Sequence, residues 1–271
     1  MFATLKQFLT NKLIKQKISG YAFLLIFILC NSAVTALQDV ENDFKNGQII
    51  TSQNPEIQHQ IIQNFLDSCE WAKLRYDHDA SLQYALKALR EARNGDNPLL
   101  LTKALKATGD SYYYKNEFSN SIIYYAEAKK SAQSIGDAVS EADISIDLGF
   151  SYVVNGRPDS ALFHTLQALK FYDQKNYPVN KSWCYRILGD IQYSLNNLSN
   201  AKDFYEKGIA ALENIALKDS VILREWSLQT SSVAMILAEQ KKLAESVLFY
   251  KKSDSIARLS RAEDVITGNK N

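Results

Sequence analysis

Apolar side chains recur at intervals of three and four residues along most of the chain from residue 54 onward, a spacing typical of amphipathic helices. The first such run carries Ile62 and Cys69 and follows Asn54-Pro55, a pair that favours a helix start. The run breaks at residues 77–79. A second apolar run then ends at Asn94-Gly95, where glycine favours a helix C-cap. The pattern predicts two helices joined by a short turn.

The same pattern returns at a fixed distance. Gly109, Gly149 and Gly189 are 40 residues apart, and aligning the copies places Cys69 and Ala234 at the glycine position of the first and last copies. Small residues at a fixed period indicate places where backbones pack closely, once in each repeating unit. Other small residues keep the same register: Ser121, Ala161 and Ala201, then Ala128, Ala168 and Gly208.

The alignment predicts five helix pairs that occupy residues 54–260. Because the turn inside each pair is short, its two helices must be antiparallel. A single pair cannot bury its apolar face, so stacked neighbours must complete the core of an all-α solenoid. The predicted copies cover about residues 54–96, 97–136, 137–176, 177–217 and 218–260, with a polar lead-in at 37–53 and a polar tail at 261–271.

The third copy carries the most specific motif. Leu148-Gly149-x-x-Tyr152, followed by Ala161 and Ala168, resembles the tetratricopeptide repeat, and the copies around Gly109 and Gly189 are similar. This resemblance implies a right-handed α-solenoid whose first helices line a concave binding face. The period of 40 exceeds the usual period of about 34 residues. In this longer period the chain is similar to the long-repeat type found in the extracytoplasmic sensor part of bacterial signalling proteins.

The resemblance also implies where a ligand would bind, because the concave face lies between the packing positions of the first helices. Aromatic rings there offer contact area, and Lys106 and Arg186 can pair with carboxylates of a peptide. Each aromatic ring has the alternative of packing between neighbouring helices. The candidate residues are Lys103, Lys106, Asp110, Tyr113 and Tyr114 in the second copy, Asp143, Ile146, Phe150 and Val153 in the third, and Trp183, Arg186, Asp190 and Tyr193 in the fourth.

One known binding mode of the family is not expected. Tetratricopeptide proteins that bind chaperone tails resemble one another in a two-carboxylate clamp of lysines and asparagines. Asp110 and Asp190 stand where that clamp would have asparagine. An aspartate there would repel the carboxylates that the clamp holds.

The N-terminal segment has the order of a secretory signal peptide. Four lysines precede the apolar run Tyr21–Cys30, and the small residues up to Ala36 follow it. The run is shorter than the roughly 20 residues that span a bilayer. We expect cleavage after Ala36 and export to the periplasm; an uncleaved N-terminal anchor is the alternative. No membrane span is expected after cleavage.

Composition narrows the functional classes. The net charge of +1 gives no sign of a nucleic-acid partner.

Of the three cysteines, Cys30 lies in the apolar N-terminal run, while Cys69 and Cys184 are almost three repeats apart. They are too distant for a disulfide in an extended array, so we expect buried thiols.

Chemistry-bearing motifs are lacking. His59, His78 and His164 are scattered, without other metal ligands at suitable spacing, and no phosphate-binding loop or nucleophile motif occurs. His78 is expected in a solvated turn and His164 at a packing or surface position. We therefore expect no cofactor, no metal and no enzymatic activity.

Two functional hypotheses remain. The leading one is an exported interaction scaffold that binds a peptide or protein on the concave face of the array, in a signalling role. The alternative is the extracytoplasmic input domain of a truncated or split membrane sensor, whose kinase, cyclase or regulator output is missing; a membrane sensor would then be the partner.

Overall fold

The structure, a computed structural model, describes residues 55–213, 215–216 and 219–268, with side chains up to residue 261. The predicted signal peptide and lead-in lie outside the described residues. The described residues form helices without strands, which confirms the all-α prediction. The ten helices are α1 (Pro55–Leu74), α2 (His78–Arg93), α3 (Pro98–Tyr114), α4 (Phe118–Ser134), α5 (Ala138–Val154), α6 (Pro158–Asp173), α7 (Pro178–Ser194), α8 (Leu198–Glu213), α9 (Ser220–Glu239) and α10 (Leu243–Gly268).

The helices stack in pairs. Each helix packs against the next along the whole series, and the first helix of a pair also contacts the first helix of a neighbouring pair, as α1 does with α3 and α5 with α7. This arrangement is the predicted solenoid. The last helix extends to Gly268, so most of the polar tail continues α10 beyond residue 260.

Helix starts follow the sequence signals closely. All four prolines of the chain stand at the first residue of a helix, at the start of α1, α3, α6 and α7. Proline is tolerated there because the first helical N–H has no intrahelical partner. Before α3, the Asn97 side chain also accepts hydrogen bonds from the N–H groups of Leu99 and Leu100, both at 3.1 Å.

The turn inside every pair repeats one backbone geometry. Seven residues after the glycine position, each copy has a residue with φ between 59° and 70°. The next N–H donates to the carbonyl five residues earlier, as from Glu117 to Tyr112 at 2.9 Å, which closes a Schellman motif. The five residues are Tyr76, Asn116, Gly156, Asn196 and Lys241. The first and last copies therefore align through Cys69 and Ala234.

The repeated glycines are required by the partner helix. A Cβ at Gly109 would lie 2.6 Å from the Tyr125 ring, and one at Gly189 would lie 2.6 Å from the Tyr205 ring. In the third copy a Cβ at Gly149 would meet the Thr165 hydroxyl at 2.6 Å. Each distance is below van der Waals contact. The first helix must carry glycine for the second-helix side chain to lie against its backbone.

The remaining small residues of the repeat are buried between helices. The prediction that the two cysteines of the repeats are buried free thiols is confirmed. Ala128 and Ala168 are fully buried, and Cys69 and Cys184 are buried free thiols. The Cys69 sulfur lies 3.3 Å from the Ser81 hydroxyl.

The structure corrects the expectation for His78. This residue begins α2 and is half-buried, and its ring stacks on Tyr114 with centroids 5.7 Å apart. It is therefore a packing residue at a helix start. None of the helices among the described residues is both long and apolar enough to cross a membrane.

Substituting Gly189 by alanine tests the close packing of α7 and α8. The added methyl group would overlap the Tyr205 ring, so we expect the free energy of unfolding to fall by about 1–3 kcal/mol. Thermal and urea unfolding followed by circular dichroism measures the loss. Gly95→Ala is the matched control, because its Cβ would meet only the end of the Gln58 side chain, which can move. Equal losses in both variants would contradict this account.

Candidate functional site

A cavity of the described structure lies along the first helices of four successive pairs. Its volume is 310 Å³. Its walls come from α1, α3, α5 and α7, with one contribution from α4, and we call it the groove. Its lining residues are Lys73, Lys106, Asp110, Tyr113, Tyr114, Tyr125, Ile146, Asp147, Phe150, Trp183 and Arg186.

The groove collects most of the residues that the sequence singled out. Eight of the thirteen candidates line it. Lys103 is exposed elsewhere on α3, and Val153 packs into the core. Asp190 and Tyr193 lie beyond the lining and are held by Tyr205 and Glu239. The eight are Lys106, Asp110, Tyr113, Tyr114, Ile146, Phe150, Trp183 and Arg186.

Sequence reasoning missed Lys73, Tyr125 and Asp147. Lys73 holds the first-copy position that Tyr113 holds in the second, so extending the repeat alignment to that copy would have found it. Asp147 lies one helical turn after Asp143, so the helical spacing that selected Asp143 would also have selected Asp147. Tyr125 comes from a second helix, and only the packing of α3 against α4 brings it to the groove.

A lysine between two carboxylates forms the floor of the groove. The Lys106 Nζ lies 3.2 Å from Asp110 Oδ1 on the same helix and 3.0 Å from Asp147 Oδ2 on α5. The helices α3 and α5 approach less closely than α1 and α3 or α5 and α7 do. These three side chains bridge the wider gap.

The two carboxylates differ in how well they are satisfied. Asp110 also accepts a hydrogen bond from the Tyr125 hydroxyl at 2.7 Å, and the Lys73 Nζ lies 4.0 Å from it. Lys106 is the single protein cation within ion-pair distance of Asp147 among the described residues. Burial raises the pKa of Asp147 to about 6, with Lys106 opposing the rise and Asp110 adding to it. Of the two carboxylates, Asp147 is the less compensated by the protein.

The tyrosine–aspartate contact is repeated along the array. Tyr205 donates to Asp190 Oδ1 at 2.6 Å, with the same separation of 15 residues as Tyr125 and Asp110. The third copy has Phe150 at the aspartate position. This replacement puts an apolar ring at the centre of the groove.

Arg186 closes the far side of the groove. Its guanidinium lies 4.1 Å from the centroid of the Phe150 ring, its Nε donates to Glu225 Oε1 at 2.6 Å, and its Nη1 lies 3.8 Å from Asp190 Oδ2. Cation–π attraction and two carboxylates therefore hold this arginine in place. Lys106 and Arg186, which the sequence analysis offered as partners for carboxylates of a peptide, both already pair with carboxylates of the protein.

The aromatic side chains of the groove also pack against neighbouring side chains. Tyr114 stacks on His78 and also lies beneath the Lys73 ammonium, and Tyr113 packs edge-on against Tyr114 and Phe118. Trp183 is partly buried at the groove wall. Each ring thus combines packing with a surface turned to the groove.

The described residues bring together no group of three or more histidine, cysteine, aspartate or glutamate side chains that could hold a metal ion. His164 lies away from the groove on α6 and stacks on Tyr152 at 5.5 Å. Burial lowers its pKa to about 4, and Lys129 adds to the effect. It is a packing residue, one of the two alternatives that the sequence alignment predicted.

Known structures share this fold. No protein-family model and no curated protein matches the chain. A Rap protein solved with Competence and Sporulation Factor has a TM-score of 0.66 at 14% identity, over 98% of this chain and 74% of that one. The Rap conjugation gene regulator of plasmid pLS20, solved with the Phr* peptide, has 0.63 at 15%, over 78% and 57%.

A putative kinesin light chain of Podosopora anserina with nearly identical TPR-like repeats has a TM-score of 0.55 at 8% identity, over 72% of this chain and 94% of that one. At such identities the likeness establishes the fold alone. The chain has the tetratricopeptide-type helical repeat fold that its 40-residue period predicted.

Replacing Asp147 by asparagine tests the electrostatics of the groove floor. A folded-state pKa of about 6, above the ordinary 3.8, means that the wild type gains stability as the pH falls through 6 towards 4. The asparagine variant lacks this gain. We therefore expect the melting temperature of the variant, relative to wild type, to be higher at pH 8 than at pH 4.5.

Asp79→Asn is the control for this pH dependence. The hydrogen bond from Lys115 lowers the pKa of Asp79, so its stabilising contribution is lost only below the ordinary pKa. Its difference from wild type should stay constant between pH 8 and 4.5. The same constancy for Asp147→Asn would contradict the assignment.

Proposed function

We propose that this protein binds a peptide, or an extended segment of a protein, in the groove, and acts as an interaction scaffold without catalysis. The observation that carries the proposal is the convergence of Tyr113, Phe150 and Trp183 with charged side chains on one cavity lined by four successive first helices. An extended chain crossing those helices would meet each one in turn. Aromatic side chains in such a position supply contact area at low cost in conformational entropy.

The structural neighbours support the same proposal. The pLS20 regulator, which shares this fold, was solved with the Phr* peptide bound. Its likeness covers 78% of this chain, so a peptide ligand is compatible with an array of this kind. The cavity volume of 310 Å³ suits a few side chains of a peptide rather than a folded domain.

Trp183→Ala tests the proposal. Peptides selected from a random display library on the purified wild-type chain should bind this variant at least about tenfold more weakly, because an anchoring aromatic surface is lost. Fluorescence polarisation with the selected peptides measures the affinity. Trp71→Ala is the matched control: Trp71 is 59% exposed on α1 and does not line the groove. Failure to select any peptide, or equal binding by both variants, would contradict the proposal.

We also propose, from the sequence of residues 1–36, that the protein is exported and acts in signalling outside the inner membrane. Four lysines, the apolar run Tyr21–Cys30 and the small residues before Leu37 support export. Fractionation of cells and N-terminal sequencing test it. A mature N-terminus at Leu37 is the expected result. An unprocessed chain in the cytosol would contradict export, and an unprocessed chain in the membrane fraction would support the anchored alternative.

A further inference from the structure

The charges around the groove are unbalanced. A group of six carboxylates and three cations surrounds the groove in two ion-pair clusters, one around Lys73 and Lys106 and the other around Arg186. The charge of Asp143, the sixth carboxylate, acts on Asp147. We call the whole group the acidic network. Its excess is three negative charges. Its members are Glu70, Asp110, Asp143, Asp147, Asp190 and Glu225, with Lys73, Lys106 and Arg186.

The cations of this network are already engaged. Lys106 lies within ion-pair distance of two carboxylates, and so does Arg186, with Asp190 and Glu225. Lys73 lies 2.6 Å from Glu70 and 4.0 Å from Asp110. A ligand carboxylate would have to compete with these internal partners and would also face the excess negative charge. The arrangement disfavours an acidic ligand.

Asp147, in the floor of the groove, offers a carboxylate that a basic ligand group could pair with. Asp147 shares its one cation, Lys106, with Asp110, and a quarter of its side chain is exposed. Tyr113 is near enough to Asp147 to feel its charge, and Trp183 lines the same cavity. A carboxylate beside aromatic rings attracts a cation both through its charge and through the negative faces of the rings.

We propose that the groove recognises a cationic group of its peptide, held by Asp147 beside the rings of Tyr113 and Trp183. The group is an ammonium or guanidinium, supplied either by a lysine or arginine side chain or by the peptide N-terminus. This inference rests on the proposed peptide-binding function and adds to it the chemistry that the site selects. Two arrangements already present follow the same principle: Arg186 lies on the Phe150 ring, and Lys73 lies on the Tyr114 ring.

Four pools of random hexapeptides, each with fluorescein on a C-terminal cysteine, test the proposal by fluorescence polarisation against the full chain. The first pool has an acetylated N-terminus and one fixed lysine or arginine. The second has a free N-terminus and no basic residue. The third is acetylated and uncharged, and the fourth is acetylated with one fixed glutamate. The first two pools separate the two sources of the cation.

We expect the first or second pool to bind about tenfold more tightly than the third, and the fourth to bind most weakly. Asp147→Asn should reduce the preferred pool to the level of the uncharged one. Asp254→Asn, which changes an exposed aspartate on α10 paired with Arg258, should leave binding unchanged. Circular dichroism melts establish that both variants are folded.

The outcomes separate this inference from the function on which it rests. If the uncharged or acidic pool binds as tightly as the basic ones, and Trp183→Ala abolishes that binding, the cation preference is overturned while groove binding stands. Unchanged preference in Asp147→Asn would also overturn it. If no pool binds, the peptide-binding function itself fails, and the inference falls with it.

Discussion

The structure depends on a contact that each of the three middle helix pairs makes, between a side chain of the second helix and the glycine backbone of the first helix. At Gly109 and Gly189 a tyrosine ring lies where a Cβ would stand, at 2.6 Å. The packing density of protein interiors leaves no room for both. The same contact also orders the groove, because the hydroxyl of Tyr125 donates a hydrogen bond to Asp110. Tyr125 therefore belongs both to the packing of the helix pair and to the groove, so a substitution at Gly109 would also disturb the groove.

The groove follows from the spacing of the first helices. The gap between α3 and α5 is bridged by Lys106 and the carboxylates of Asp110 and Asp147, which are shielded enough for burial to raise the pKa of Asp147. A buried charge needs partners, since desolvation is otherwise expensive. Each cation of the groove has two carboxylate partners, whereas Asp147 shares a single cation with Asp110. A basic group on a ligand would give Asp147 a second cationic partner.

Local signals in the chain predicted a large part of this arrangement. The prolines start helices because they lack the N–H that the first turn cannot use, and periodic small residues identified the repeat. The five left-handed turn residues could not be predicted from residue type. Only one of them is a glycine, Gly156, whereas Tyr76 and Lys241 adopt the same backbone geometry. There the chain reversal is imposed by the packing of the flanking helices, which outweighs the local preference.

What the sequence by itself determined is the repeating unit: helix pairs, their register, their buried small residues and the helix face that would be concave. The tertiary structure decided which of those facing residues meet. Lys73 and Tyr125 reach the groove, whereas Lys103 and Tyr193 do not line it. It also decided that Lys106 is held by Asp147, 41 positions along the chain. The reason is physical: helical periodicity is set by neighbours three and four residues apart, but ion pairing and desolvation depend on distances between helices that only stacking establishes.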